Sequence, residues 1–151
     1  MAIARGAGTE IIRAHHFEDV TGDAHHQLII GEQHHIYTVL SLIVFCSTLN
    51  VATDYITCYI QGYDAFAGTT NEPTRIFRTI IPQKSTYVWN DKFSFNGCEG
   101  TNFTGAMNSV ADQNLIADQA ESGIPQELKV YTNAATTVYD ITVTFIDQNN
   151  V

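Results

Sequence analysis

An all-β fold, a single β-sandwich of jelly-roll or immunoglobulin-like strand order, is predicted by three features of this sequence. Short apolar runs of period two recur along the chain, the clearest being Tyr139, Ile141, Val143 and Phe145. Gly, Pro, Asn and Asp punctuate those runs at short intervals. Only Asn108 to Ala120 has helical character, and its apolar residues are sparse. Eight or nine short strands with turns between them bury one face each, which calls for a two-layer all-β body. The 151 residues suit one domain. A chain of that length buries roughly 70% of its unfolded surface, so it needs no metal or disulfide staple.

Residues 1–9 are small and glycine-spaced and form an N-terminal arm; residues 10–151 are the sandwich domain, with one long inserted loop at about 97–126. Strands are expected at Glu10 to Phe17 and His25 to Ile30, with a turn over Val20 to Ala24 between them. Gly31-Glu32-Gln33 turns the chain again. In Ile36 to Ser47, the most apolar segment, Tyr37, Val39, Leu42, Ile43, Val44 and Phe45 crowd both faces, as in a central strand buried on both sides. Tyr55 to Gln61 alternates, with Ile56, Cys58 and Ile60 opposite Tyr55, Thr57, Tyr59 and Gln61. Asp64 to Thr74 holds Gly68, Asn71 and Pro73 and reads as a loop; Arg75 to Ile81 is a strand stopped by Pro82. Thr86 to Trp89 and Phe93 to Phe95 flank Asn90-Asp91-Lys92, the expected connection of a hairpin. Glu127 to Thr132 and Thr137 to Ile146 close the chain as two strands.

Composition narrows the function. Charged residues are 15% of the chain against a globular norm of about 25%. That leaves a surface rich in Thr, Asn, Gln and Tyr, as on exposed strands or faces covered by neighbours. The net charge of −9, with only 7 cations, argues against nucleic-acid and membrane partners. Cys46, Cys58 and Cys98 form no Cys-x-x-Cys pair and are expected to be free thiols packed as small hydrophobes in a reducing compartment. The N-terminal MAIARGAGTE has no signal-peptide core, and no apolar run is long enough to span a bilayer as a helix.

Three His-His pairs, His15-His16, His25-His26 and His34-His35, raise a metal hypothesis. Each pair offers one ring to a given face of a strand, so His15, His25 and His34 are candidate ligands of a three-His site. The plainer alternative makes them partly exposed strand-end residues, and no cofactor is expected. No Gly-x-Ser-x-Gly elbow, phosphate loop or His-Glu-x-x-His occurs, so an enzyme is not expected. Tyr55, Tyr59, Tyr63 and Tyr131 fall on faces that alternation leaves exposed; such rings serve as sugar-stacking platforms or are buried against neighbours.

Three segments carry a family resemblance: HHIYTVLSLIVFCSTLNVATDYITCYI (His34 to Ile60), TIIPQKSTYVWNDKFSF (Thr79 to Phe95) and LKVYTNAATTVYDITVTFID (Leu128 to Asp147). A hydrophobic strand, a polar strand, a strand ending in Pro before a Lys-Ser turn, an Asp-Lys connection and a Thr-alternating last strand follow one another. The order resembles small β-sandwich virion proteins of tailed bacteriophages, as does FEDVTGDAHH (Phe17 to His26). Gly100 to Gln126 departs from the short link expected in that pattern.

The resemblance implies a viral structural protein found in the virion and made in the bacterial host cytoplasm. A capsid cement (decoration) protein on the head lattice comes first, a tail, neck or adaptor component second, and a carbohydrate- or receptor-binding domain third. The implied partners are the major capsid protein or other virion proteins, with homo-oligomers such as trimers at three-fold lattice positions. Interface candidates are Ile3, Arg5, Ile11, Arg13, Phe103, Leu115, Ile116 and Ile124, apolar or cationic residues outside the sandwich pattern.

Overall fold

The structure is a computed structural model that describes residues 9–32, 35–64, 69–96 and 126–149. Seven strands follow in order: β1 (Glu10–Ile30), β2 (His35–Thr48), β3 (Ile56–Asp64), β4 (Thr69–Thr79), β5 (Thr86–Trp89), β6 (Phe93–Phe95) and β7 (Glu127–Asn149). Every pairing among them is antiparallel. The all-β class holds, and the strands form one continuous sheet that curls as a half-barrel.

β7 is the spine of that sheet. Along one side it pairs with β1 from Glu10↔Gln148 to Ile30↔Glu127. Along the other it pairs first with β3 (Gln61↔Glu127 to Ile56↔Thr132) and then with β2 (Thr48↔Val138 to His35↔Asn149). The sheet therefore has two arms joined by the β1–β7 ladder, and both strands bend where one arm gives way to the other. On β1 the bend falls between Phe17 and Gly22, where the register shifts and Asp19 (φ 57°) and Gly22 (φ 102°) adopt left-handed backbone. The bend overlaps the turn expected over Val20 to Ala24. Its turn residues are absorbed as a kink because opposite partners hold it: Thr21 Oγ1 donates to the carbonyls of Ala135 and Thr137, and Asp19 N–H donates to Asp140. The two pairs of short strands expected at 10–30 and 127–146 are thus two long bent strands.

Three further departures stand out, the first of them a bulge. In β2, Val39 pairs with Phe145 and Ser41 with Thr144, so Leu40 is an extra residue. Before it Tyr37 and Val39 are buried; after it Leu42, Val44 and Cys46 are, while Ile43 is 39% exposed. The apparent burial of both faces is one buried face whose phase shifts by a residue. β5 and β6 both pair with β2, Phe45↔Thr86 to Leu42↔Trp89 and then Val39↔Phe93 to Tyr37↔Phe95. Asn90-Asp91-Lys92 is therefore an interruption in one edge strand and not a hairpin turn. The loop expected from Asp64 to Thr74 is strand on both sides of residues 65–68, and Pro73 sits opposite Gln61 on the edge strand β4, where a missing N–H costs little.

The core face of the long alternating segment is as the sequence indicates: Tyr139, Ile141, Val143 and Phe145 are 0–1% exposed. They pack with Val39, Leu42, Val44, Ile56, Cys58, Leu128 and Val130 in one cluster. Cys46 and Cys58 are free and buried there, as expected of thiols acting as small hydrophobes. Phe77 of β4 packs on Tyr87 and Trp89 of β5, ring centroids 4.9 and 5.8 Å away, although β4 and β5 share no backbone pairing. Side chains thus span the open side of the curled sheet.

Two polar knots fix the connections. Buried Asn96 (φ 77°) donates through Nδ2 to the carbonyls of Glu32 (2.6 Å) and His35 (2.7 Å), and exchanges bonds with Gln126. Gly31 packs against it: a Cβ there would lie 2.4 Å from Asn96 Oδ1 and 2.3 Å from Gln126 O, so only glycine fits. Buried Asp54 accepts from Val51 N–H and from the Thr137 hydroxyl, pinning the β2–β3 connection to the bend of β7.

The arm residues 1–8, residues 97–125 of the inserted loop, the helix expected at Asn108 to Ala120, and Cys98 lie outside the described residues. Thr9 continues the β1–β7 ladder by accepting from Asn149 N–H at 3.1 Å.

Candidate functional site

The sheet register assembles a cleft on the outer face of the β4–β3–β7–β1 arm. Directly paired residues in an antiparallel sheet share a face. One row across the four strands is Arg78, Thr57, Tyr131 and His25; the next is Arg75, Tyr59, Lys129 and Gln27. Arg78, Thr57, Tyr131 and His25 of the first row and Arg75 and Tyr59 of the second, with Tyr55 just before β3 and with Gln61 and Pro73, line a groove of about 340 Å³.

Two arginines on this face require a special backbone. Arg75 and Arg78 are three residues apart, so a regular strand would send them to opposite faces. Cys58 pairs with Phe77 and Tyr59 with Arg75, which leaves Ile76 as an extra residue in β4. That bulge resets the phase and brings both guanidiniums to the groove while Phe77 stays in the core.

The rings are held in defined positions. Arg78 Cζ lies 3.6 Å from the centre of the Tyr55 ring, a cation–π contact. Tyr131 lies 4.8 Å from the His25 ring and 6.2 Å from Tyr55, and its hydroxyl donates to Asp23 at 2.5 Å. That bond to Asp23 raises the Tyr131 pKa. Tyr59, expected on an exposed face, is buried at 6% beneath the groove, and burial pushes its pKa up. Its hydroxyl stays protonated at neutral pH and lies 2.6 Å from His25 Nδ1, so with the Nε2–H tautomer of His25 it donates to that nitrogen. Lys129 is occupied by Gln61 (2.6 Å) and Glu127 (3.2 Å). Arg75 and Arg78 are exposed, and no described carboxylate pairs with them or lines the groove. A chain of net charge −9 thus carries a locally cationic, aromatic surface here.

A second cluster sits where β1, β2 and β7 meet. Arg13 donates to Asp147 (3.0 Å), whose other oxygen lies 2.6 Å from His35 Nδ1; His35 Nε2 is 3.5 Å from Glu32. Asp147 is buried, and Tyr37 Oη beside it accepts from Glu32 N–H at 3.2 Å. The cluster lines a cleft of about 220 Å³ and ties the start of β1 to its neighbours.

Among the sequence candidates, His15 and His25 are not brought together. His15 bonds the Leu28 carbonyl at 3.0 Å and meets Phe145 edge-on, whereas His25 belongs to the tyrosine groove. His34 lies outside the described residues, and among the described residues no three His, Cys, Asp or Glu side chains are grouped to hold a metal. Ile11 is 45% exposed and Arg13 half-exposed on the edge of β1; Ile3, Arg5, Phe103, Leu115, Ile116 and Ile124 lie outside the described residues, as does the side chain of Tyr63. Sequence reasoning found Tyr55, Tyr59 and Tyr131 but missed Arg75 and Arg78, because their odd spacing conceals a shared face. No protein-family model matches this chain, and no curated protein matches it.

Proposed function

We propose that this chain is a structural protein of a tailed-bacteriophage particle, a cement protein that binds and stabilises the head lattice. The observation that carries the proposal is the free edge of β1. Among the described residues this 21-residue strand pairs only with β7, so its other edge is open to a further strand. From Glu10 to Ala14 every residue is exposed, including Ile12 at 71%. An uncharged apolar pair, Ile11-Ile12, on an open edge is a liability in an isolated protein. The same pair becomes an attachment site where a capsid subunit covers it, and the small-residue arm precedes it directly. Contact between Phe77 and the β5 rings supports a sandwich-like body, its two layers being the two arms of the curled sheet. The strand-and-turn likeness to small phage virion proteins supports the same reading, with the major capsid protein as partner and a homotrimer as the simplest assembly.

The test is the copy number of this chain relative to the major capsid protein, measured by quantitative mass spectrometry of purified particles. A ratio near one, or a simple fraction of it, is expected. A few copies to tens of copies would move the protein to the tail or neck, and absence from particles would refute a virion role.

A further inference from the structure

We propose that the groove over β1, β3, β4 and β7 binds an acidic saccharide, one whose pyranose rings carry carboxylates. The proposal does not rest on the virion reading, because every residue it uses belongs to one chain. Three features carry it together.

The bulge at Ile76 is the first. Without it one of the two arginines would turn toward the core face, so a local irregularity of the edge strand is what creates a paired guanidinium site. Bulges that re-aim side chains are common beside binding sites. The second is the unmatched charge. In a chain with 16 acidic and 7 basic residues, Arg75 and Arg78 lie in a groove that no described carboxylate lines. An anion entering there meets two planar forks of donors suited to carboxylate. The third is the wall chemistry. Tyr131 and His25 offer ring surface and Thr57 a hydroxyl, while Tyr55 carries the Arg78 guanidinium on one ring face and holds it over the groove. The C–H face of a pyranose stacks on such rings while its hydroxyls take the polar groups. The volume of about 340 Å³ falls at the small end of ligand sites, room for one or two sugar rings.

A nucleic acid fits less well. Two guanidiniums neutralise at most two phosphates, and the rest of an acidic chain repels the backbone.

The test is isothermal titration calorimetry of the purified protein with three uronate probes: trigalacturonate, triguluronate and a hyaluronan tetrasaccharide. The methyl ester of trigalacturonate, an oligothymidylate and a poly-glutamate peptide serve as comparisons. At least one uronate is expected to bind at millimolar concentration or below, and to weaken as salt rises. Arg75→Ala and Arg78→Ala should each weaken it about tenfold or more, and Arg78→Lys should restore only part, since it loses the planar fork. Tyr55→Phe should bind as the unaltered protein does, and Tyr55→Ala should not. Lys92→Ala, exposed between β5 and β6 and outside the groove, should change nothing. Unchanged thermal midpoints for the groove variants keep the comparison about binding. No binding of any uronate overturns the proposal. So does equal binding of the ester, tighter binding of the oligothymidylate or the peptide, or equal loss in Lys92→Ala.

Discussion

Replacing Tyr139 by Phe should stabilise this protein. Tyr139 lies on β7 against Cys46 of β2 and Val20 of β1 and is 1% exposed. Its hydroxyl has no hydrogen-bond partner among the described residues. In the unfolded chain that hydroxyl is hydrated, and burying it unpaired costs about 1–3 kcal/mol. Phe keeps the ring and nearly all of its packing, giving up a few tenths of a kcal/mol of dispersion contact around one oxygen. The net gain is therefore about 1 kcal/mol, which in a domain of this size raises the thermal midpoint by roughly 2–4 °C. A second signature is alkaline. Burial, with Cys46 and Asp54 nearby, pushes the Tyr139 pKa from 10.0 to about 12. The unfolded phenol ionises first, so the stability this group contributes is complete below pH 10 and is lost as pH rises toward 12. Tyr139→Phe should be the more stable protein at neutral pH, and its advantage should widen between pH 10 and 12. Scanning calorimetry at neutral pH and urea titrations across the alkaline window measure both effects. A midpoint lowered by more than about 2 °C, with no widening at high pH, would show that the hydroxyl is paired and refute the reasoning.

Asp54→Ala removes the acceptor for Val51 N–H and the Thr137 hydroxyl, two bonds to a carboxylate worth about 3 kcal/mol together. A midpoint lowered by roughly 6–12 °C is expected in calorimetry, and a fall under about 2 °C would mean the clamp on the β7 bend is not needed. Burial first, then the neighbouring His25, lowers the His26 pKa below 6.5, so its contribution to stability is present above pH 6.5 and lost as pH falls. Urea midpoints of His26→Gln should accordingly fall less steeply on acidification than those of the unaltered protein; parallel curves would contradict this. Ile12→Lys puts a charge on the open β1 edge at a 71% exposed site, so the midpoint should stay within about 0.5 kcal/mol of stability. Its occupancy on purified particles should nevertheless drop, and full occupancy would exclude that edge from attachment.

What the sequence disclosed is what period two can carry. The run from Tyr139 to Phe145 needs no information beyond alternation, and its face is buried as expected. Alternation fails where a bulge adds a residue, because the phase on the far side is inverted without any change of composition. Leu40 made one buried face look like two, and Ile76 hid the partnership of Arg75 and Arg78. Turn residues mislead for a related reason. Asp19 and Gly22 have the left-handed backbone their composition suggests, yet Thr21 and Asp140 bond across to the opposing strand and convert a turn into a bend. The tyrosines of the groove were visible as rings on an outward face, whereas their arrangement around His25 depends on register between strands distant in sequence. Residues 97–125, where several interface candidates fall, lie outside the described residues.

The position of β7 has a consequence for the order in which this protein can fold. β3 with β4, and β2 with β5 and β6, are assembled from segments fairly near in sequence, and each piece leaves an apolar face bare. Both pieces, and β1 as well, find their main partner in the last described strand, so that Glu10 waits for Gln148. Local hairpins can flicker early, but the sheet closes only when β7 threads between β1 and the two pieces, a step that orders nearly the whole chain at once. Such distant pairing places refolding in the slow, millisecond-to-second class. During synthesis, too, the apolar faces of β2 and β3 must stay unpartnered until residues 127–149 leave the ribosome, which makes this chain a natural client for chaperones that shield nascent strands.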